Sequence, residues 1–229
     1  MSEHVAEPYE DPRWSAYDRA QAREAVRLFR RYEREIVEAL CFCPWAARAR
    51  TAERVLLDVA PDEARIIEAA DAIADDTRVE VGFVIMPRAR LGRADLMALV
   101  QSTRAARQAR GELPMAMEGF HPDAAFEAST PARLVPFVRR TPDPTIQLTR
   151  MSVIERVKRS RQTGTAFFDP STHSLEALLA EPAPIPLAEE VARANAATIA
   201  RLGSARVCAM LDDIRRDRDE TYARLARES

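Results

Sequence analysis

The residues best suited to proton transfer lie in a short segment near the middle of the chain. His121 is followed by Pro122 and Asp123, so an imidazole and a carboxylate stand two positions apart on a backbone that proline biases toward an extended form. A carboxylate can orient a histidine ring, and the ring can then transfer protons near neutral pH. We therefore predict His121 and Asp123 as a catalytic pair. The alternative is a ring that bonds its own loop, with Asp123 in an Asx turn.

Arginines follow in the same part of the chain and supply a second kind of chemistry. Arg139 and Arg140 precede a proline-rich turn, and Arg150 ends the next strand-like run. A guanidinium group is planar, always charged and matched in shape to carboxylates and phosphates. We predict that these arginines, with Thr145, bind an anionic group of a substrate. For each arginine, a structural salt bridge or a solvated surface position is the alternative.

Cys43 is a third candidate catalytic residue. It lies before Pro44, where a long amphipathic helix is predicted to end. A nearby cation lowers the pKa of a thiol, whereas the C-terminus of a helix opposes the thiolate, so activation would need a distant arginine. A buried structural cysteine is the alternative. Cys41 and Cys43 form a Cys-x-Cys, but without a second pair this is a weak metal signal, and we predict no metal ligands. The cofactor is left unknown.

The composition narrows the class of protein and of partner. The chain has 229 residues, with 34 Lys and Arg against 36 Asp and Glu, and a formal net charge of -2. Without a basic excess, nucleic acid is not an expected partner. No apolar run approaches the roughly 20 residues of a membrane span, and the polar N-terminus does not resemble a signal peptide. Three cysteines suit a reducing compartment, so we expect a soluble cytoplasmic protein.

Four strand-like runs alternate with helical patterns and must position these side chains. The runs are residues 54–59, 79–86, 113–120 and 145–150. The second run is apolar on both faces, as in a central strand. Strands that alternate with helices require crossover connections. We therefore predict an α/β fold with a mixed, partly parallel four-stranded sheet flanked by helices; an α+β arrangement is the alternative.

The two ends and one internal segment fall outside this alternation. Residues 1–14 are expected to form a flexible arm, and residues 161–186, rich in proline, an irregular excursion within a single domain that spans 15–203. Residues 204–229 are predicted to form a C-terminal helical extension. One face of that helix carries apolar side chains that could bind a protein partner or a second copy of the chain: Val207, Leu211, Ile214 and Leu225.

Four segments, taken in order, resemble those of one known family. They are Leu40–Ala46, Phe120–Asp123, Arg140–Arg150 and Asn195–Gly203. These segments are similar to those of the bacterial domain of unknown function numbered 1415. In the first segment, Cys43 falls on the family's cysteine. The resemblance supports the candidate residues of the second and third segments, but it implies no particular reaction.

The chain departs from the family pattern at two positions of the third segment. Asp143 replaces the family's tyrosine, and Gln147 replaces its second histidine. The resemblance therefore supports no mechanism in this chain that uses two histidines or that tyrosine.

Three hypotheses for the function follow from these patterns. The first is a small-molecule site beside the third and fourth strands, where the arginines hold an anion and His121 with Asp123 provides acid–base chemistry. The second is a non-enzymatic module whose terminal helix binds a protein partner. The third is a thiol or metal-binding protein that uses Cys43.

Overall fold

The computed structural model describes residues 13–111, 115–162 and 185–228. Most of the predicted arm and most of the predicted excursion lie outside the described residues. In chain order the elements are α1 Ala16–Arg31, a π-helix Tyr32–Glu38, α2 Ala46–Thr51, β1 Val55–Val59, α3 Glu63–Asp75, β2 Val81–Ile85, α4 Arg93–Ala109, β3 Met115–Phe120, α5 Pro131–Val138, β4 Thr145–Arg150, α6 Met151–Gln162, α7 Leu187–Leu202 and α8 Ser204–Glu228.

The four strands form one mixed sheet in the order β1-β2-β4-β3. β1 and β2 are parallel, and β4 runs antiparallel to both of its neighbours. Thr145 at the start of β4 pairs with Ile85 and with Phe120, the last residues of β2 and β3. The carboxyl ends of three strands therefore meet at one edge of the sheet. The prediction of an α/β fold with a mixed four-stranded sheet is confirmed.

Helices cover both faces of the sheet, because each strand alternates its side chains between the two faces. On one face, α3 and α4 bury apolar residues against the strands, with Ile73 and Leu96 at the centre. Gly82 in β2 is required there, since a Cβ atom at this position would overlap Cγ2 of Ile73. The opposite face carries α1, the π-helix, α5, α7 and α8.

The C-terminal helix contributes to the core of that second face. Val207, Leu211 and Ile214 are buried in the same apolar cluster as Leu28 and Phe29 of α1. We predicted these three residues as a face for a partner, and the structure instead buries them within the chain. In the described parts of the chain, no helix has both the length and the apolar character needed to cross a membrane.

Ion pairs add to the apolar contact between α1 and α8. Asp217 of α8 accepts hydrogen bonds from Nη2 of Arg27 at 2.8 Å and from Nη1 of Arg31 at 2.6 Å. These hydrogen bonds, that of Arg27 above all, hold the pKa of the Asp217 carboxyl well below its usual range. The side chain of Asp217 is 25% exposed, so water screens the pairs only in part.

We predict that Asp217→Asn destabilises the protein at neutral pH. Because the folded-state pKa is depressed, the stabilisation is fully present above the unfolded pKa of about 3.9 and is lost as the pH falls toward the folded value. The free energy of unfolding should fall by about 1–2 kcal/mol at pH 7, and the difference from wild type should shrink below about pH 4. Urea denaturation of wild type and variant at pH 7 and below about pH 4 measures this difference in the free energy of unfolding. Asp212→Asn, at an exposed position of the same helix, is the control; equal effects of the two variants would contradict the prediction.

Candidate functional site

A cavity of about 270 Å³ lies between the sheet and the helices of the second face. Its lining is mostly apolar, with the aromatic residues Phe29, Tyr32, Phe42, Trp45, Phe83 and Phe120. A smaller set of lining residues is polar: Glu33, Cys43, Arg139, Gln147 and Asn195. A largely apolar concavity with a few convergent polar groups is the usual form of a small-molecule site.

The π-helix forms part of this lining with Tyr32, Glu33 and Val37. The Tyr32 hydroxyl is fully buried and donates a hydrogen bond to the Val138 carbonyl at 2.6 Å. Burial raises the pKa of Tyr32, so the phenol stays protonated as the donor. Short π-helical segments occur frequently at functional sites, because their wider hydrogen-bond spacing changes which side chains share a face.

Cys43 enters the cavity through a turn that the sequence patterns missed. Cys41 adopts a left-handed backbone with φ of 54°, and the N–H of Phe42 donates back to the Val37 carbonyl at 2.9 Å. The chain then starts the short helix α2, and the N–H of Ala46 donates to the Cys43 carbonyl at 3.2 Å.

Burial raises the pKa of the Cys43 thiol, and it outweighs the opposing effects of the nearby backbone N–H groups of Trp45 and Ala46 and of Arg139. We expected Cys43 at a helix C-terminus, but the π-helix ends at Glu38 and Cys43 lies beyond it. Cys41 is exposed. Among the residues that the structure describes, no group of three His, Cys, Asp or Glu side chains is placed to hold a metal ion.

Arg139 is the predicted anion-binding residue that reaches the cavity. It lies at the C-terminal end of α5, and its guanidinium group is 5.1 Å from the centre of the Phe120 ring. Its Nη1 donates to Oε2 of Glu118 at 3.0 Å. Arg139 also borders a second cavity of about 420 Å³, which His121 lines. The side chain therefore lies between the two cavities.

His121 is buried, and both of its ring nitrogens bond the backbone. Nδ1 accepts a hydrogen bond from the N–H of Asp123 at 3.0 Å, so the proton lies on Nε2, which donates to the Leu91 carbonyl at 2.8 Å. The Asp123 carboxylate does not orient the ring; it accepts a hydrogen bond from Arg215 at 2.8 Å. The contacts of His121 match the structural alternative, and its catalytic role stays a prediction.

Arg140 and Thr145 also bond groups of the chain itself. Nε of Arg140 donates to the Pro122 carbonyl at 3.1 Å, and its guanidinium group packs over the Phe137 ring. Thr145 is fully buried, and its hydroxyl donates to the Asp143 carbonyl at 2.9 Å. These contacts fix the turn that leads into β4 and leave neither residue in the 270 Å³ cavity.

The guanidinium group of Arg150 ties the end of α3 to the sheet. It donates hydrogen bonds to three backbone carbonyls, those of Ala74, Asp76 and Val79. Carbonyls at the end of a helix lack partners within the helix, so a cation there is stabilising. Arg150 thus serves the fold, and its predicted role in anion binding gains no support from its contacts.

Asp143, one of the two positions that we noted as departures in the sequence, is buried just before β4 begins. Its Oδ1 accepts a hydrogen bond from Nε of Arg218 at 2.9 Å, and its Oδ2 accepts one from the Tyr222 hydroxyl at 2.7 Å. Burial raises the pKa of Asp143, and both partners oppose that rise. The substituted residue is therefore bound by two side chains of α8.

Comparison with known proteins gives one family. The family model described as "Protein of unknown function (DUF1415)" matches residues 24–180. The chain belongs to the DUF1415 family. No curated protein matches the chain, and no solved structure matches it.

Of the four segments that the sequence singled out, three lie within the matched residues and the fourth, Asn195–Gly203, lies beyond them, and all four meet at the 270 Å³ cavity. Each segment contributes at least one lining residue, and these are Cys43, Phe120, Gln147 and Asn195. With its amide nitrogen turned toward the Phe42 carbonyl, Asn195 donates to that carbonyl at 3.1 Å. Segments far apart in the sequence thus supply one site, whereas the predicted His121–Asp123 pair lies outside it.

Sequence reasoning missed Glu33 and Trp45 as lining residues. A glutamate within a helical pattern indicates a solvent-facing position, and nothing in the apolar spacing reveals a π-helix. Trp45 precedes a helix of six residues, which is too short to show a period. Gln147 carried a usable signal, because the resemblance drew attention to its segment and the structure places it in the cavity lining.

We predict that iodoacetamide labels Cys43 about tenfold more slowly than Cys41 at pH 8, since burial restricts access and raises the pKa of the Cys43 thiol. Intact mass spectrometry in a Cys208→Ser background measures it, with Cys43→Ser reporting on Cys41 and Cys41→Ser reporting on Cys43. The rate for Cys43 should keep rising above pH 9. Equal labelling rates for Cys43 and Cys41 at pH 8 would contradict the prediction that burial protects the Cys43 thiol.

We also predict that His121→Ala lowers the free energy of unfolding by about 1–2 kcal/mol, because it leaves a part-buried carbonyl and a part-buried backbone N–H without their partner. Asp123→Ala should cost less than about 1 kcal/mol, since its ion pair with Arg215 is exposed. Chemical denaturation of both variants provides the comparison. Equally large losses would indicate that the carboxylate supports the ring after all.

Proposed function

We propose that this protein binds a small, mostly apolar molecule with an anionic group in the 270 Å³ cavity. The observation that carries the proposal is the convergence of four sequence segments on that cavity through Cys43, Phe120, Gln147 and Asn195, the first three of which lie within the matched family range. Apolar walls favour a ligand with an apolar body, since burying such a surface contributes about 25 cal/mol per Å². The polar residues would fix its orientation.

The cavity volume limits the size of the ligand. An apolar cavity of about 150 Å³ accommodates benzene. At about 270 Å³, this cavity has room for roughly a dozen non-hydrogen atoms by the same scale. The proposal therefore concerns a compound with one ring or a short branched chain, rather than a nucleotide.

Arg139 supports the anionic part of the proposal. Of the described residues that line the cavity, it is the one with a permanent positive charge. Its partner Glu118 is half exposed, and an exposed ion pair contributes little to stability. A ligand carboxylate can therefore take the place of Glu118 at low cost. The guanidinium group would stay over the Phe120 ring.

We propose binding rather than catalysis by the thiol. A cysteine nucleophile needs a nearby base or a depressed pKa. Gln147 lines the cavity where the family pattern has a histidine, and no histidine lines the cavity among the described residues. The pKa of Cys43 is raised rather than lowered. Cys43 would contribute a small, polarizable side chain to the lining of the site.

We also propose a cytoplasmic location for the protein. The three cysteines Cys41, Cys43 and Cys208 are all free, which suits a reducing compartment.

The test uses phenylacetate, an aromatic ring with one carboxylate, as the probe. We predict that wild type gives a saturation-transfer NMR signal for phenylacetate and that Ala46→Phe abolishes it, because the new ring occupies the cavity that Ala46 lines. Ala47→Phe is the matched control, since Ala47 is exposed on the same helix. Arg139→Gln should weaken binding about tenfold through the lost charge-assisted contact. Undiminished binding by Ala46→Phe would contradict the proposal.

A further inference from the structure

Glu33 is the feature of the cavity that the proposed function does not use. Its side chain is 7% exposed, yet the residue lines the cavity. Arg30 donates to its Oε2 at 2.6 Å. Within the described residues, the structure gives Oε1 no hydrogen-bond donor. An ionised carboxylate has about four acceptor positions, and a buried one is costly unless those positions are used.

Gln147, on the sheet side of the cavity, also has hydrogen-bonding groups that are not used. Its side chain comes from the middle of β4 and is partly buried. The described part of the chain supplies its amide with no hydrogen-bond partner. Buried polar groups in proteins almost always have partners, either in the protein, in water or in a ligand. The cavity thus holds an acceptor and an amide that a ligand can satisfy.

The charges of the site select the kind of donor. Arg30 pairs with Oε2 of Glu33, so a ligand that carried only a carboxylate would leave Oε1 without a donor and would place a second negative charge near it. An ammonium group on the same ligand supplies the donor and balances that charge. It also gives Oε1 a charge-assisted hydrogen bond, which is about twice as strong as a neutral one.

We infer that the ligand is a zwitterion with an apolar body, of the class of the hydrophobic amino acids. Its carboxylate binds Arg139, its ammonium group binds Oε1 of Glu33, and its side chain contacts the aromatic walls. This inference rests on the proposed function and names the ligand class of the same cavity. Phenylalanine, with about a dozen non-hydrogen atoms, matches the volume on the scale of benzene cavities.

Isothermal titration calorimetry with three compounds tests the inference. L-Phenylalanine carries both charged groups, phenylacetate lacks the ammonium group, and 2-phenylethylamine lacks the carboxylate. Wild type should bind phenylalanine at least about tenfold more tightly than either of the others, which corresponds to about 1.4 kcal/mol. This comparison needs no variant, so it holds even where a substitution disturbs folding.

Glu33→Gln then identifies the residue that recognises the ammonium group. It should weaken the binding of phenylalanine about tenfold and leave phenylacetate bound at least as tightly as in wild type. Glu35→Gln is the matched control, since Glu35 lies on the same π-helix with a side chain that is 46% exposed. It should change neither affinity.

The outcomes separate the two proposals. If phenylacetate binds as tightly as phenylalanine, or Glu33→Gln leaves their ratio unchanged, the zwitterion is wrong while the cavity remains a binding site. If none of the three compounds binds, or all bind Ala46→Phe as well as wild type, the proposed function itself fails.

Discussion

The buried hydrogen bond from the Tyr32 hydroxyl to the Val138 carbonyl joins the two stretches of chain on which the candidate site depends. Tyr32 begins the π-helix, whose next residue is Glu33, and Val138 is followed directly by Arg139. This hydrogen bond of 2.6 Å therefore holds Glu33 and Arg139 at a fixed separation in the cavity lining. Since the phenol is fully buried, water cannot replace the carbonyl, and losing the bond would leave two polar groups unsatisfied.

A second constraint operates at the sheet edge where three strands end. Asp143 places a carboxylate in the core, and such a group is tolerated only when it is hydrogen-bonded. Arg218 and Tyr222 meet that need from α8. The buried Asp143 carboxylate and α8 are thus two parts of one arrangement, because the carboxylate needs the donors that α8 supplies.

Most of the fold can be predicted from the sequence, but fewer of the site residues can, and the reason is physical. Alternation of short apolar runs with helical periods is local information, and it was enough to predict four strands and a mixed sheet. The insertion of β4 between β2 and β3 depends on pairing between distant residues, which no local pattern contains. His121 was found as a special residue, but its hydrogen bonds to the backbone appear only when the loop at Leu91 folds against it. Glu33 carried no signal, because burial of a charge inside a helix depends on the π-turn and on what packs above it.

The burial of Val207, Leu211 and Ile214 against α1 bears on where the chain can be cut. The matched family segment ends at residue 180, yet the apolar cluster continues to Ile214. A fragment that stopped at the family boundary would expose the apolar side of α1, including Leu28 and Phe29, as a contiguous patch of the kind that drives aggregation. If such a fragment were insoluble, the cause would be the loss of the C-terminal helices from the apolar core, not the loss of a binding partner. For expression or crystallisation of shortened versions, the natural end point lies beyond Tyr222.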